Sequence, residues 1–518
     1  MKKPNYLKGL RVGIAILIFL PILFYFLDFR NDLPNGLHRL LHLQLIPALL
    51  AGMAAIVIIQ LLLAFLFGRV YCSMICPAGI LQDIINRIYC IGKKKNKGSR
   101  RFGYKKPQNL LRYSLTALTF LLIPFGILLP GLLLDPYSNF GRIATNLFRP
   151  AAVFINNLLA ELFAMFDNYT LFHVKLTTIT TPALIGALIA LGVFVGLTIW
   201  RGRLFCNTLC PVGGLLSLVS RFSLFRIDID QSKCSSCGLC EKSCKAEAID
   251  TKTMRVDASR CVSCFNCVSK CKKDSLHYRY APVWKKEKKE ETVEPISNSR
   301  RTFLATGATV AASLPVVSAI AAPRERKRLH QKPLPITPPG SLSIERFKDK
   351  CTGCHLCVVQ CPSQLLRPAG LEYGFDYMLK PHMSYLDSYC NYECVVCSEV
   401  CPNHAILPIT VEEKVTTQVG IAHFILNRCI VETDNTDCGA CSEHCPVQAV
   451  HMELYKEGST LTVPVVEPEL CIGCGGCESI CPVRPHRAII IKANPVHQRV
   501  EKPAEEKALE IEIDGFGF

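Results

Sequence analysis

Acidic residues are scarce in this 518-residue chain. Only 42 Asp and Glu stand against 59 Lys and Arg, a formal net charge of +17, and none occurs between Ile84 and Pro107. Charged residues make up just 19% of the chain while 50% is hydrophobic, with a mean hydropathy of +0.26. That balance excludes an ordinary soluble protein. A nucleic-acid reader motif is also missing, and the basic residues crowd beside apolar segments instead of interleaving with aromatics. Nucleic acid is therefore excluded as a partner, and the charge reads as a topology signal. Nor do the cysteines show the pattern of a secreted disulfide scaffold. The 29 cysteines fall into groups: four in a duplicated stretch and 24 in six groups of four, with Cys90 left over. Such grouping points to metal.

Apolar runs near residues 11–27, 45–67, 110–134 and 182–200 are each long enough to cross about 30 Å of hydrocarbon as a helix. The loop between the second and third carries Arg87, Lys93, Lys94, Lys95, Lys97, Arg100, Arg101, Lys105 and Lys106, which predicts that it is cytoplasmic. The loops 28–44 and 135–180 balance their charges and are expected outside. Lys2, Lys3, Lys8 and Arg11 then place the N-terminus inside.

The duplicated stretch reads "GRVYCSMICPAGILQDIINR" from Gly68 and "GRLFCNTLCPVGGLLSLVSR" from Gly202, each following an apolar run. Cysteines four apart share a helix face, so Cys72 with Cys76 and Cys206 with Cys210 can each aim two thiolates at one point. The proline after the second cysteine would begin or bend a helix there. If the halves pack as a pseudo-repeat, four thiolates converge, enough for a metal or redox site. Cysteines merely packed at helix ends are the bland alternative.

After Arg226 come "CSSCGLCEKSC" and "CVSCFNCVSKC", both Cys-x2-Cys-x2-Cys-x3-Cys. Three close thiolates clasp one cubane face while the fourth reaches the other cluster. The predicted sets are Cys234, Cys237, Cys240 and Cys271 for one [4Fe-4S] cluster, and Cys261, Cys264, Cys267 and Cys244 for the second. Lys245 and Lys272 stand where a proline would usually follow. Zinc fits this three-plus-one rhythm poorly.

A charged linker, 283–299, precedes "SRRTFLATGATVAASLPVVSAIAA", in which Arg300 and Arg301 open an apolar run rich in small residues. This resembles a twin-arginine export signal; a fifth transmembrane helix over 300–323 is the alternative, and both put the remainder outside. Beyond it lie "CTGCHLCVVQCP", "CNYECVVCSEVCP", "CGACSEHCP" with Cys429 upstream, and "CIGCGGCESICP". Four more clusters are implied, on Cys351, Cys354, Cys357 and Cys361; Cys390, Cys394, Cys397 and Cys401; Cys429, Cys438, Cys441 and Cys445; and Cys471, Cys474, Cys477 and Cys481. "CTGCH" also matches a c-type haem attachment pattern, but Cys357 and Cys361 follow at ferredoxin spacing, which favours a cluster. His355 is then a polar neighbour of a cluster sulfur, or solvated.

In order of motifs the chain resembles a fusion of two ferredoxin-type families. Residues 1 to about 282 resemble NapH-type membrane subunits, and the rest resembles NapG/MauM-type proteins; the membrane half is also similar to NosR and CcoG. The four C-terminal groups further resemble four-cluster electron-transfer subunits, which implies that the outer groups pair with each other and the inner groups pair together. The expected fold class is an α-helical membrane domain, with four transmembrane helices and one internal signal or anchor helix, carrying two ferredoxin-like α+β polyferredoxin domains. Its expected parts are the membrane domain 1–225, a cytoplasmic two-cluster ferredoxin 226–282, the linker, the signal or anchor, a periplasmic four-cluster domain 340–495 and a tail 496–518. The resemblance implies a protein of the bacterial inner membrane with six [4Fe-4S] clusters, to which the CxxxCP cysteines would add one metal or redox site. It further implies electron transfer from menaquinol to a periplasmic reductase or other redox protein, membrane lipid being the surrounding partner; a maturation or regulatory role of the NosR/CcoG type is the alternative. His38 and His42, four apart near the outer start of the second apolar run, are either quinol proton acceptors or interfacial polar residues.

Overall fold

The computed structural model describes residues 6–29, 35–92, 102–176, 179–282 and 334–501. Residues 93–101 of the basic loop, the linker 283–299, the twin-arginine segment 300–323, Trp284 and the end of the tail, 502–518, lie outside the described residues. Two compact units divide the chain. One holds the described residues up to 282 together with 346–381 and 400–405, and the other holds 334–345, 382–399 and 406–501. The stretch 340–495, expected as one domain, is thus split between them.

In the first unit, α1 (Tyr6–Leu27) is followed by a 3-10 helix (Asn35–Leu43), α2 (Leu45–Leu50), α3 (Ala54–Phe67), α4 (Tyr71–Met74) and α5 (Pro77–Gly92). Next come α6 (Asn109–Leu122), α7 (Leu129–Leu134), α8 (Pro136–Ile143), a π-turn (Ala144–Phe148), α9 (Arg149–Ala164), α10 (Thr181–Arg201) and α11 (Pro211–Ser220). Among the described residues, three helical stretches are long and apolar enough to cross a membrane: Tyr6–Leu27, Pro136–Ala164 and Thr181–Arg201. The set differs from the four runs expected. The run 45–67 breaks at Gly52, whose φ of +78° lies in the left-handed region, and the run 110–134 breaks around Gly126, at φ +72°, with Pro124 before it and Pro130 after. Conversely, the expected outer loop 135–180 contains the continuous helix Pro136–Ala164, opened by Asp135, whose carboxylate accepts from the Tyr137 and Ser138 amides. Exposed apolar faces, such as Leu17, Leu20 and Phe24 on α1 and Ile185, Leu188 and Ile189 on α10, are what lipid accepts and water does not.

The 226–282 segment forms two antiparallel pairs, β1 (Phe225–Ile229) with β4 (Leu276–Tyr280) and β2 (Ile249–Asp250) with β3 (Arg255–Val256), joined through the short helix α12 (Leu239–Ser243). Ile227, Ala248, Ile249, Val262 and Leu276 bury a small core between them. This segment docks at one end of the long helices: Arg201, closing α10, pairs with Glu247, and Asp83 links Arg11 of α1 to Lys245. At the other end sit residues 346–381. Gln360 donates to the Tyr25 carbonyl at the far end of α1, and Thr180, at the start of α10, donates to the Pro368 carbonyl. A 21-residue helix is roughly 30 Å long, so cysteine groups stand at both ends of membrane-length helices.

The second unit is built on β5 (Thr417–Phe424) paired with β8 (Ile489–Arg499), and β6 (Val450–Leu454) paired with β7 (Thr462–Val466). Strand β8 runs beyond 495 into the expected tail, where His497 Nε2 lies 2.9 Å from Thr337 Oγ1. The tail therefore begins later than the sequence suggested.

Candidate metal centres

None of the 29 cysteines forms a disulfide, in keeping with the metal reading. The cysteine loops share a backbone geometry that sequence spacing alone does not reveal. In the four regular groups the residues on both sides of the second cysteine have positive φ: Ser236 and Gly238, Ser263 and Phe265, Gly353 and His355, Gly473 and Gly475. For Ser236, Ser263, Phe265 and His355 this costs about 1 kcal/mol each, which a loop tolerates when it must turn consecutive thiols inward. The residue three beyond five of the six fourth cysteines is likewise left-handed: Glu247, Asp274, Gln364, His404 and Gln448. That turn aims the next amide back at sulfur, as the Ala248, Ser275 and Ala449 amides show, donating to Cys244, Cys271 and Cys445 Sγ at 3.4, 3.3 and 3.2 Å.

The quartets assemble by exchange of their fourth member. Cys234, Cys237, Cys240 and Cys271 line one hollow of about 330 Å³, and Cys244, Cys261, Cys264 and Cys267 line another of about 320 Å³, walled by Ile227, Ala248, Ile249 and Val262. Both sets are those the spacing predicted. Burial and the neighbouring Cys264 push the Cys244 thiol up to about 11, and burial and Cys244 push Cys261 up to about 12. Cys271 goes the other way: burial opposes it, but hydrogen bonds from Ser275 hold it below the usual thiol range.

Among the C-terminal groups the pairing differs from the expectation. Cys401 acts on the charge of Cys351 and Cys354, so the first group's partner is the second group and not the last. In the second unit Cys429, Cys438 and Cys441 share a hollow of about 360 Å³ with Cys481. Cys445 in turn neighbours Cys471, Cys474 and Cys477. Within the first unit the second group's fourth cysteine thus joins the first group, and within the second unit the third and fourth groups exchange theirs. The eight-residue insertion after Cys429 alters one loop without changing which sulfurs meet, so spacing was a poor guide to partnership.

The first of these centres rests on the helical part of its own unit. Ser138 Oγ lies 2.8 Å from Thr352 Oγ1, Arg149 donates to the Val359 carbonyl, and Gly141 packs so closely under Cys354 that a Cβ there would meet the Cys354 carbonyl at 2.4 Å. His355 is neither a haem ligand nor solvated. Its ring is 1% exposed and held on both nitrogens, by Asn146 at 3.2 Å and by the Leu379 carbonyl at 2.9 Å; burial pushes it down to about 3. Tyr137, also 1% exposed, carries a hydroxyl with no hydrogen-bond partner among the described residues, while Cys354, Cys357 and Cys401 all act on it. An orphaned buried donor facing three thiols is what a sulfur-rich cluster would satisfy. No signal in the sequence marked Tyr137.

His38 and His42 do meet, with ring centroids 6.1 Å apart, and a third ring that sequence reading missed, His404, lies 5.7 Å from His42. His404 follows Cys401 by three residues, and the His42 ring bonds to the main chain at Pro402, leaving its Nδ1 buried with no hydrogen-bond partner among the described residues. Cys90 lies 3.9 Å from Asn86 on α5.

In the duplicated stretch, Cys72, Cys76, Cys206 and Cys210 are 2–4% exposed; Cys206 and Cys72 act on the charge of Cys76, and Cys206, Cys76 and Cys72 on that of Cys210. Neither pair lies on one continuous helix. Cys72 sits in the single turn α4 and Cys206 in a π-turn, while Pro77 and Pro211 open α5 and α11 as expected.

Four family models match the chain, and all describe iron–sulfur modules. A 4Fe-4S binding domain matches 46–103 and 183–229, another matches 227–250, and 4Fe-4S dicluster domains match 350–406 and 436–484. The dicluster limits agree with pairing of consecutive groups. The ferredoxin-type protein NapG of Escherichia coli is 28% identical over 191 residues, 36% of this chain and 81% of its own length. The methylamine utilization ferredoxin-type protein MauM of Methylorubrum extorquens is 30% identical over 201 residues, 36% of this chain and 86% of its own, and that of Paracoccus denitrificans is 31% identical over 160 residues, 30% and 69%. No solved structure matches. Cysteine quartets in paired loops, joined to apolar helices of membrane length, define a ferredoxin-type protein that carries several 4Fe-4S clusters and transfers electrons. Within that class, the chain belongs to the NapG/MauM family of ferredoxin-type proteins.

Proposed function

We propose that the 24 grouped cysteines hold six [4Fe-4S] clusters and that the chain conducts electrons between menaquinol in the bacterial inner membrane and an exported redox partner such as a periplasmic reductase. One observation carries this reading: cysteine quartets stand at both ends of the same helices, with Lys245 beside Cys244 tied to Asp83 at one end and Gln360 beside Cys361 tied to Tyr25 at the other. The clusters would supply one-electron chemistry. The protein's part is to fix their order, bury them and donate amide hydrogen bonds to sulfur, which sets potential. His42, with a buried free ring nitrogen next to His404 and the Cys401 loop, would accept a quinol hydroxyl at the outer end. Supporting that end as the outside are the basic loop near α5 and the twin-arginine-like segment before the C-terminal groups.

The test is anaerobic EPR on the full chain in vesicles, with a menaquinol analogue as the sole reductant. Reduction of cluster signals supports the proposal. Signals that appear with dithionite and never with the quinol would remove quinol from it, and an iron-free protein would remove the whole.

A further inference from the structure

Three parts of the first unit meet around a hollow of about 310 Å³ that no cysteine lines: residues 106–108 leading into α6, the turn after α10, and the segment 226–282. Lys106, Arg201 and Arg260 face it, with Glu247 as the one carboxylate in its lining, and Asn207 and Thr208 add polar wall. Glu247 is already engaged. Arg201 donates to both its oxygens, from Nε at 3.3 and 3.0 Å and from Nη2 at 2.5 Å.

Arg260 is 4% exposed and fixed on two sides. Its Nε donates to Asp257 at 2.6 Å, its Nη1 donates to the Lys105 carbonyl at 2.8 Å, and its guanidinium lies 5.1 Å from the centre of the Tyr104 ring. Its Nη2 is buried and has no hydrogen-bond partner among the described residues. A buried donor left without an acceptor is costly, so this one calls for a ligand. Lys106 is exposed. Setting Glu247 against Arg201 and Asp257 against Arg260 leaves the charge of Lys106 in excess. The hollow therefore offers one uncompensated positive charge and one unpartnered donor.

Its place in the fold names the anion. Arg201 closes α10, a helix of membrane length, and Trp200 before it is 55% exposed, where an interfacial aromatic belongs. Leu110 and Leu111, in the first turn of α6 just past Gln108, are exposed as well. An apolar surface thus begins where the charged hollow ends. A molecule with a single negative charge at its head and hydrocarbon below it matches both. Free phosphate has nothing to lay against the apolar side.

We infer that this hollow binds the phosphodiester headgroup of an anionic phospholipid, with Arg260 Nη2 and Lys106 on the phosphate and the acyl chains along Trp200, Leu110 and Leu111. The inference rests on the reading of α10 as a membrane-crossing helix. Glu247 stands three residues after Cys244, and Arg260 immediately precedes Cys261. The lipid therefore clamps the loops of the second cluster to the end of α10 and the entry of α6, and seats the 226–282 segment on the membrane.

The test is native mass spectrometry on the full chain, purified anaerobically in a neutral detergent and supplied in turn with phosphatidylglycerol, phosphatidylcholine and inorganic phosphate. The wild type should keep a phosphatidylglycerol through detergent exchange and neither of the other two. Lys106→Gln/Arg260→Gln should weaken that binding roughly thirtyfold, the effect of removing two cations at an anionic lipid surface. Lys106→Glu reverses the excess charge at an exposed position, and it should release the lipid with the cluster EPR signals intact even where the double variant fails to fold. Equal retention by the wild type and Lys106→Glu, or phosphate held as firmly as phosphatidylglycerol, would overturn the inference and leave the electron carrier standing. A chain that stays out of membranes altogether would overturn the membrane reading and this site with it.

Discussion

Ser138 and Thr352 stand 214 positions apart in sequence, yet their hydroxyl oxygens lie 2.8 Å apart, one at the start of α8 and the other between the first two cysteines of the group at Cys351. The same turn of α8 presents Tyr137, buried and unpartnered, to Cys354, Cys357 and Cys401. A hydroxyl donating to cluster sulfur stabilises the reduced, more negative state. Tyr137→Phe should therefore shift the midpoint potential of one cluster to lower values and leave the others in place. Redox-titrated EPR reads this directly, and unchanged potentials throughout would show that the hydroxyl has no cluster to serve.

The exchange of fourth cysteines gives a second expectation. Cys401→Ser should remove the cluster built on Cys351, Cys354 and Cys357, and Cys481→Ser the one built on Cys429, Cys438 and Cys441. Mössbauer spectra of each variant, compared with those of Cys354→Ser and Cys438→Ser, check the assignment. Matching losses within each pair bear it out.

Much of the first ferredoxin segment was legible in the sequence, because its doubled spacing names three ligands and leaves one place for the fourth. The C-terminal pairing was not, since a loop of any length can deliver Cys429 to the same hollow as Cys438. The breaks at Gly52 and Gly126 were missed for a different reason. Apolar side chains run unbroken across both; Pro124 and Pro130 flank the second break, and the positive φ of Gly52 and Gly126 shows where each helix stops. His404 and Tyr137 were invisible because their meaning comes from residues hundreds of positions away.

Histidine exchange separates quinol chemistry from cluster chemistry. His42→Gln and His404→Gln should each slow quinol-driven reduction by at least about a hundredfold, the lower end of the range for losing a general base, while dithionite still reduces every cluster. Stopped-flow absorbance in the two reductants makes the comparison. Equal slowing with both would point to damaged clusters instead.

Asp83 governs acid stability. Burial alone would raise its pKa, yet Arg203, Lys245 and Arg11 hold it well below the usual carboxylate range. Its folded pKa is thus below the unfolded value of about 4. The stabilisation is fully present above that value and is lost as pH falls through the lower folded one. Asp83→Asn should cost about 3–5 kcal/mol at neutral pH, the usual range for breaking a buried ion pair, and should flatten the acid limb of the Tm profile. Thermal melts of detergent-solubilised protein from neutral to strongly acid pH check both effects.

The account stands most directly on conduction between the two ends of the helices. In sealed vesicles carrying one orientation of the full chain, an impermeant reductant is added outside and cluster signals are followed by EPR. The account predicts reduction of the clusters on Cys234 and Cys261 as well as those on the C-terminal groups, whichever face the reductant meets. Reduction confined to the clusters on the reductant's own side, in protein fully reducible once the vesicles are opened, would contradict it.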